Sequence, residues 1–181
     1  MSQIDITSPE TLEEAQKIVR EIARELGYAE SQMEELDRRI LEGEPLYQIV
    51  QLPEKLIEER YAMALQMYKS GQLENAEAIF RWLCLFNGAS SSNWMGLGAC
   101  LHGQERWEEA RTAYGMALAW SEEGDPKPLY YLGICNYMLH DMQKAKIAFE
   151  EAIAQAGLHE SEDRELVKRA CAMLEMIENE G

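Results

Sequence analysis

Hydrophobic and polar positions recur along the centre of the chain with a fixed period. An alanine followed four residues later by an aromatic residue occurs three times, as Ala76 with Phe80, Ala110 with Tyr114, and Ala145 with Phe149. The intervals between these alanines are 34 residues (76 to 110) and 35 residues (110 to 145). Upstream of each pair, at one offset, a small residue follows an apolar one: Met63-Ala64, Leu97-Gly98 and Leu132-Gly133. A period of this length predicts pairs of helices that stack into an array.

The middle repeat carries most of the template of the tetratricopeptide (TPR) repeat, W-x2-L-G-x2-Y…A-x3-F-x2-A. It matches at Trp94, Leu97, Gly98, Leu101, Trp107, Ala110, Tyr114 and Ala117. In such a repeat the small residue lets two antiparallel helices approach closely, and the aromatic residue of the second helix fills the space between them. The predicted fold class is therefore all-α, with three TPR helix-turn-helix repeats in a right-handed superhelical cradle.

The pattern also predicts where the parts of the chain begin and end. The repeats are expected over about 57–88, 91–122 and 126–156, within a region that spans 53–156. A separate N-terminal helical region is expected over 1–52, where a narrow, heptad-like apolar stripe consists of Leu12, Ala15, Val19, Ile22 and Leu26. Residues 157–181 are expected to form a capping helix with one apolar face, made of Leu166, Ala170, Met173 and Ile177.

Charge and composition exclude several functions. The 181 residues carry a net charge of −16, and such a field repels phosphate backbones and anionic lipid. No apolar run is long enough to cross a bilayer, and the N-terminus lacks an export signal, so a cytoplasmic location is expected, with no direct nucleic acid and no membrane as partner. The cysteines form no C-x-x-C pair and are predicted to be reduced, buried packing residues: Cys84, Cys100, Cys135 and Cys171.

Motifs for catalysis, cofactors or metals do not occur in the sequence. The histidines His102, His140 and His159 have no second ligand at metal-binding spacing, and no phosphate-binding glycine motif is present. No nucleophile has a base beside it in a recognisable motif. The sequence therefore predicts no catalytic residue, no metal, no cofactor and no enzymatic activity.

The remaining candidate is a surface. In a TPR array the first helix of each repeat lines the concave side, through its second, fifth, ninth and twelfth positions. The second positions are Glu58, Ser92 and Lys127. The other positions give the candidate peptide-binding residues, which are Tyr61, Leu65, Tyr68, Met95, Ala99, His102, Tyr130, Ile134 and Tyr137. Tyrosine suits a peptide ligand because it offers a flat apolar face and a hydroxyl group. The alternative is that some of the tyrosines pack beneath the N-terminal helices.

The segment 57–156 resembles the type III secretion translocator chaperones, also called class II or low-calcium-response protein H-type chaperones. The stretches F-R-x-L-C, at residues 80–84, and L-G-A-C, at residues 97–100, are more specific to this family than a general TPR pattern. The resemblance implies a cytoplasmic bacterial chaperone that holds the extended N-terminal segments of hydrophobic translocators, two of them as a rule. It also implies a homodimer formed through the N-terminal stripe. Leu65 lies where an aromatic residue is common in the family.

Two other binding functions compete with this interpretation. Some relatives assist a transcriptional activator, and a basic activator would suit the acidic surface. A co-chaperone that reads EEVD-type tails would need a clamp of Lys and Asn residues. The clamp positions carry Tyr61, Leu65, Gly96 and Tyr131, and only Lys127 fits.

Overall fold

The computed structural model describes residues 16, 17, 19–21, 23, 24, 27–42, 44–156 and 164–180. These residues are helical apart from turns and short connections, and none of them lies in a strand. The all-α prediction is confirmed. Four members of the N-terminal stripe, Leu12, Ala15, Ile22 and Leu26, lie outside the part of the chain whose side chains the structure describes.

The N-terminal region forms a lead-in that packs on the first repeat. After helical residues between 16 and 24, Gly27 turns the chain at φ 87°, and a 3₁₀ helix (Glu30–Gln32), α1 (Met33–Leu41) and α2 (Leu46–Ile49) follow. Their buried side chains form the lead-in cluster: Val19, Ala23, Met33, Leu36, Leu46, Ile49, Val50 and Phe86. Phe86 belongs to the first repeat, so this cluster joins the lead-in to the array.

Val19 corrects one sequence prediction. It was expected in a dimer interface, but its side chain is fully buried within the chain, in the lead-in cluster. An apolar side chain at a heptad-like position packs equally well on the chain's own next elements as on a second copy, and the stripe alone did not distinguish the two.

Six helices form three consecutive hairpins. The first pairs α3 (Glu54–Lys69) with α4 (Leu73–Phe86), the second pairs α5 (Ser91–Gly103) with α6 (Trp107–Ala119), and the third pairs α7 (Lys127–Met138) with α8 (Met142–Ala156). Pro53 precedes α3 and Pro128 lies in the first turn of α7, where a missing backbone N–H costs no helical hydrogen bond. Ser90 caps α5, since its side chain accepts a hydrogen bond from the backbone N–H of Asn93.

Close contact within the hairpins depends on the small residue identified in the sequence. A Cβ atom on Gly98 would lie 2.6 Å from the Tyr114 ring, and one on Gly133 would lie 2.6 Å from the Phe149 ring. The aromatic ring of the second helix therefore rests on the backbone of the first helix. This is the packing that the sequence pattern predicts.

The turns inside the three hairpins share one geometry. The residues at the same repeat position, Gly71, Glu105 and His140, have φ angles of 78°, 58° and 60°. The next residue of each turn donates a backbone hydrogen bond of 2.9 to 3.0 Å to the preceding helix, from Gln72 to Met67, from Arg106 to Leu101 and from Asp141 to Asn136. Only the first repeat has glycine, the residue that accepts this left-handed conformation without strain.

A final helix, α9 (Arg164–Glu180), covers the third hairpin. Ala170 is fully buried against Ala145 and Phe149, and Met173, Leu174 and Ile177 pack around them, which together form the cap cluster. The first part of the range expected for this capping helix, residues 157–163, lies outside the described residues. No helix among the described residues is long and apolar enough to cross a membrane.

Candidate functional site

The first helices of the hairpins, α3, α5 and α7, carry the residues predicted for the concave side. Eight of the nine candidates are partly buried, and the ninth, Tyr68, is 38% exposed. The polar second positions Glu58, Ser92 and Lys127 are exposed. Partial burial is what a side chain needs if it is held in place and still reachable by a ligand.

In the first hairpin, Tyr61 and Leu65 pack against the central cluster. This cluster consists of the buried residues Ala64, Ala76, Phe80, Leu83, Cys84, Leu97, Cys100, Leu101, Ala110, Ala113, Tyr114 and Cys135. The Tyr61 ring meets the Phe80 ring edge to face, with 5.7 Å between their centroids. Tyr68 lies further along α3. Burial raises the pKa of Tyr68, and Tyr131 and Cys100 raise it further, which places Tyr68 near side chains of the third and second hairpins. Tyr68 therefore lies near both of the following hairpins and still keeps 38% of its surface exposed.

In the second hairpin, Met95 packs against the central cluster, and Ala99 lies partly buried one turn further along α5. His102 stands among three aromatic rings, at centroid distances of 5.0 Å from Trp107, 6.1 Å from Tyr131 and 6.4 Å from Tyr114. Its buried Nδ1 atom has no hydrogen-bond partner within the described chain. Burial lowers the pKa of His102, so the imidazole is neutral at pH 7.

Tyr131 is a residue of this surface that the sequence analysis placed at a clamp position but did not include among the candidate peptide-binding residues. Its ring stacks on Tyr114 with centroids 5.1 Å apart and 17° between the planes, and it meets Tyr130 edge to face at 5.2 Å. Burial, followed by Cys135, Tyr131 and Tyr68, raises the pKa of Tyr114. The signal available in the sequence was the sixth position of the repeat, which is glycine in repeat two and tyrosine in repeat three.

In the third hairpin the predicted residues Tyr130, Ile134 and Tyr137 pack against the cap cluster. The ring centroids of Tyr130 and Phe149 lie 5.8 Å apart. Burial raises the pKa of Tyr130, and the charge of Arg169 on α9 acts to lower it. The structure therefore brings residues of the first two sets near Tyr131, which also meets Tyr130, and packs the third set against the cap cluster. Among the described residues, the tyrosines that pack on the lead-in cluster are Tyr28 and Tyr47, and none of the candidate tyrosines packs there.

The cysteines follow the prediction with one exception. Cys84, Cys100 and Cys135 are buried, whereas Cys171 is exposed on α9. The prediction that Cys171 is a buried packing residue is wrong, because the buried face of α9 carries Ala170 and Leu174 on either side of it. Among the described residues, no group of three His, Cys, Asp or Glu side chains is placed to hold a metal ion.

Comparison with known proteins agrees with the fold and with the family resemblance. No family model matches the chain. The chaperone protein SicA of Salmonella typhimurium is 27% identical over 138 residues, which are 76% of this chain and 80% of SicA. Low calcium response locus protein H of Yersinia pestis is 29% identical over 125 residues, which are 67% of this chain and 71% of that protein.

Solved structures give the same result. PcrH of Pseudomonas aeruginosa, in complex with the chaperone-binding region of PopD, matches with a TM-score of 0.67 at 28% identity over 71% of this chain and 96% of PcrH. PcrH with the chaperone-binding region of PopB matches with a TM-score of 0.64 at the same identity, over 68% and 98%. The fold is that of a TPR protein. The chain is a homologue of the class II type III secretion chaperones, the low-calcium-response protein H type, as its sequence resemblance indicated.

Proposed function

We propose that this protein is a cytoplasmic bacterial chaperone that binds hydrophobic translocator proteins of a type III secretion system through the concave side of its TPR array. The observation that supports this most directly is the partly buried aromatic surface of Tyr61, Tyr68 and Tyr131 with Met95. PcrH, its homologue in fold and sequence, binds segments of PopD and of PopB. Two clients, each bound through an extended N-terminal segment, are proposed on the same ground.

The physical task is to keep an apolar client from aggregating before export. An extended segment that enters a preformed groove gains apolar contact with the tyrosine rings, while their hydroxyl groups can meet its backbone. Because the groove residues are already ordered by the central cluster, little side-chain entropy is lost on binding. A groove of this kind supports dissociation constants from micromolar to nanomolar, about −8 to −12 kcal/mol.

The side chains of the site favour the binding of an apolar ligand, without chemical turnover. Because Tyr61 and Leu65 occupy positions that a carboxylate clamp would need for polar side chains, the site favours an apolar segment over an acidic C-terminus. Release of the client is then proposed to depend on the export apparatus or on competition by another ligand.

The proposed organisation assigns three roles along the chain. Residues 1–52 are the lead-in and are proposed to contribute to a homodimer, residues 53–156 hold the client, and residues 157–181 cap the array. In the described part of the lead-in, Val19 supports the chain's own core, so a dimer contact would use other residues of this region.

Co-expression tests the proposal. The chain is produced together with each large apolar protein encoded beside its gene, and each of these proteins is also produced alone. We expect a translocator to be soluble and to co-purify with the chain only in co-expression. Equal solubility of every such protein with and without the chain would contradict the proposal.

A further inference from the structure

The second helix of every hairpin carries a charged residue directly after its repeat alanine. These residues are Glu77 after Ala76, Arg111 after Ala110, and Lys146 after Ala145. Glu77 and Lys146 form ion pairs with the element that packs next in the array. The sign of the charge is negative in the first hairpin and positive in the other two, so the interfaces differ in polarity although their apolar contacts are alike.

The first interface holds the most buried of these charges. Glu77 is 8% exposed, and both of its carboxylate oxygens accept hydrogen bonds from Nη1 of Arg106, at 2.9 and 2.8 Å. Gln104 Nε2 donates at 2.7 Å and Arg81 Nε at 2.8 Å. Arg106 and Gln104 belong to the turn of the second hairpin, so Glu77 binds the neighbouring repeat through that turn.

Glu77 lies in the middle of the face by which α4 docks on the second hairpin. One turn earlier on α4, Leu73 packs on Gly103, and a Cβ atom at position 103 would lie 2.9 Å from the Leu73 side chain. One turn later, Phe80 packs on Gly96, where a Cβ atom would lie 2.2 Å from its ring. A charge between two close apolar contacts has to be paired, because an unpaired buried carboxylate is strongly unfavourable.

The second interface reverses this polarity. Asp141 lies eight residues after Gly133, as Arg106 lies eight residues after Gly98. The pKa of Asp141 is lowered, first by hydrogen bonds from Lys144 and also by the charge of Arg111. The ion pairs within the turns are also reversed in sign. In the second hairpin the basic residue comes first, Arg106 with Glu109 three residues later at 2.6 Å. In the third hairpin the acidic residue comes first, Asp141 with Lys144 three residues later at 2.6 Å.

The contact with the cap has the same polarity as the second interface. Nζ of Lys146 lies 3.4 Å from Oε1 of Glu178 on α9. A correct stack therefore pairs opposite charges at the first interface and at the cap and brings opposite charges near each other at the second. Glu77 placed against the third hairpin would meet Asp141, and Arg111 placed against a second hairpin would meet Arg106.

We propose that these charges specify the order in which the hairpins stack and so disfavour the exchange of hairpins between two copies of the chain. The apolar contacts of a repeat array are interchangeable, because each repeat presents the same small and aromatic residues to its neighbour. A charge pattern of reversed sign is a device that makes wrong pairings repulsive while leaving the correct pairing attractive.

The first test asks whether Glu77 and Arg106 act as a pair. E77R places like charges together, and we expect the midpoint of thermal unfolding to fall by roughly 10 °C. The double variant E77R/R106D restores opposite charges at this pair but places like charges at residues 77 and 81 and at residues 106 and 109, so part of the loss is expected to be recovered. The exposed pair on α3 is the control, because reversing Lys55 and Glu59 (K55E/E59K) is expected to change the midpoint by about 1 °C or less. A double variant no more stable than E77R would overturn the pairing.

The second test asks whether polarity specifies order. E77R/R106D gives the pair between residues 77 and 106 the polarity of the second interface, so this pair stays attractive but the order is no longer specified. After unfolding in urea and refolding at high protein concentration, we expect about two-fold more protein in species larger than the native form than for wild type, measured by light scattering after size exclusion. R111E/D141R gives the second interface the polarity of the first and changes side chains that are more exposed. This variant replaces E77R/R106D in the test if E77R/R106D refolds poorly. If both variants refold with the wild-type distribution, the charges only stabilise the interfaces and the proposal is wrong.

Discussion

The phenyl ring of Phe80 in the first hairpin lies directly on the backbone of Gly96 in the second. A Cβ atom at position 96 would be 2.2 Å from Cε1 of the ring, a distance that real side chains do not adopt. Phe80 is fully buried and also meets Tyr61 edge to face. This one contact joins two repeats and positions a tyrosine of the proposed groove, so even a methyl group at Gly96 requires the ring to move.

Gly96→Ala is therefore expected to destabilise the protein by about 1–3 kcal/mol, the usual cost of overpacking a core. Gly115→Ala is the matched control, because a Cβ atom at this other helical glycine meets nothing within 4 Å. The control is expected to stabilise the chain by about 0.5–1 kcal/mol through helix propensity. Urea unfolding followed by circular dichroism measures both. Equal effects of the two substitutions would show that the contact with Phe80 is not tight.

The left-handed turn residues predict a change in the opposite direction. Glu105 and His140 adopt positive φ angles where the first repeat has Gly71. Glu105→Gly and His140→Gly relieve this strain and are expected to raise the free energy of unfolding by up to about 1 kcal/mol each. Gly71→Ala is expected to lower it by a similar amount. A loss of stability in both glycine variants would mean that the side chains of Glu105 and His140 contribute more than the strain costs.

Glu77 predicts a pH dependence. Burial acts to raise the pKa of Glu77, but hydrogen bonds from Gln104, Arg81 and Arg106 outweigh it, and the pKa is lowered. A carboxyl group with a lower pKa in the folded state than in the unfolded state stabilises the fold above its unfolded pKa, about 4.3, and loses this contribution as pH falls through the folded value.

Glu77→Gln is accordingly expected to cost about 2 kcal/mol at pH 7, with the difference from wild type shrinking below about pH 4. Glu59→Gln, at an exposed ion pair, is the control and is expected to cost less than about 0.5 kcal/mol. Urea unfolding at a series of pH values gives the difference directly. A difference that stays constant down to pH 3 would contradict the assignment of a lowered pKa to Glu77.

Thiol reactivity tests the placement of the cysteines. Burial raises the pKa of Cys84, that of Cys100 to about 11 and that of Cys135 to about 12, so few thiolates form at these positions near neutral pH. With a thiol reagent at pH 8 we expect one fast equivalent, from Cys171, and three that react only as the protein unfolds. Cys171→Ser is expected to remove the fast phase. More than one fast equivalent in the wild type would contradict the burial of the other three.

Much of this arrangement could be predicted from the sequence, because repetition reveals packing. The register of Ala76, Ala110 and Ala145 gave the three hairpins, and the small residues Gly98 and Gly133 gave the close helix contacts. The same reasoning missed the inter-repeat role of Gly96 and Tyr131. The template describes contacts within one repeat, whereas these residues pack on the aromatic residue of the repeat before them.

The third set of candidate residues shows a second limit. Tyr130, Ile134 and Tyr137 occupy the same repeat positions as the first two sets, but they pack beside α9, which has no counterpart at the other hairpins. Val19 is a similar case, since a heptad-like stripe does not show whether its partner is a second copy or the lead-in of the same chain. In both cases the sequence predicted an apolar face correctly but did not identify what covers it.

Tyr68 tests the central proposal most directly, because it is the most exposed of the candidate groove residues and therefore contributes least to the core. The measurement is isothermal titration of the chain with the N-terminal segment of a translocator that co-purifies with it, using wild type, Tyr68→Ala and Met63→Ala. Met63 lies on the same helix and is also exposed, at 45%, but is not a groove position. If circular dichroism shows all three equally helical, we expect Tyr68→Ala to weaken binding about ten-fold or more and Met63→Ala to leave it unchanged. Wild-type affinity in Tyr68→Ala, or an equal loss in both variants, would contradict a client-binding groove on the concave side.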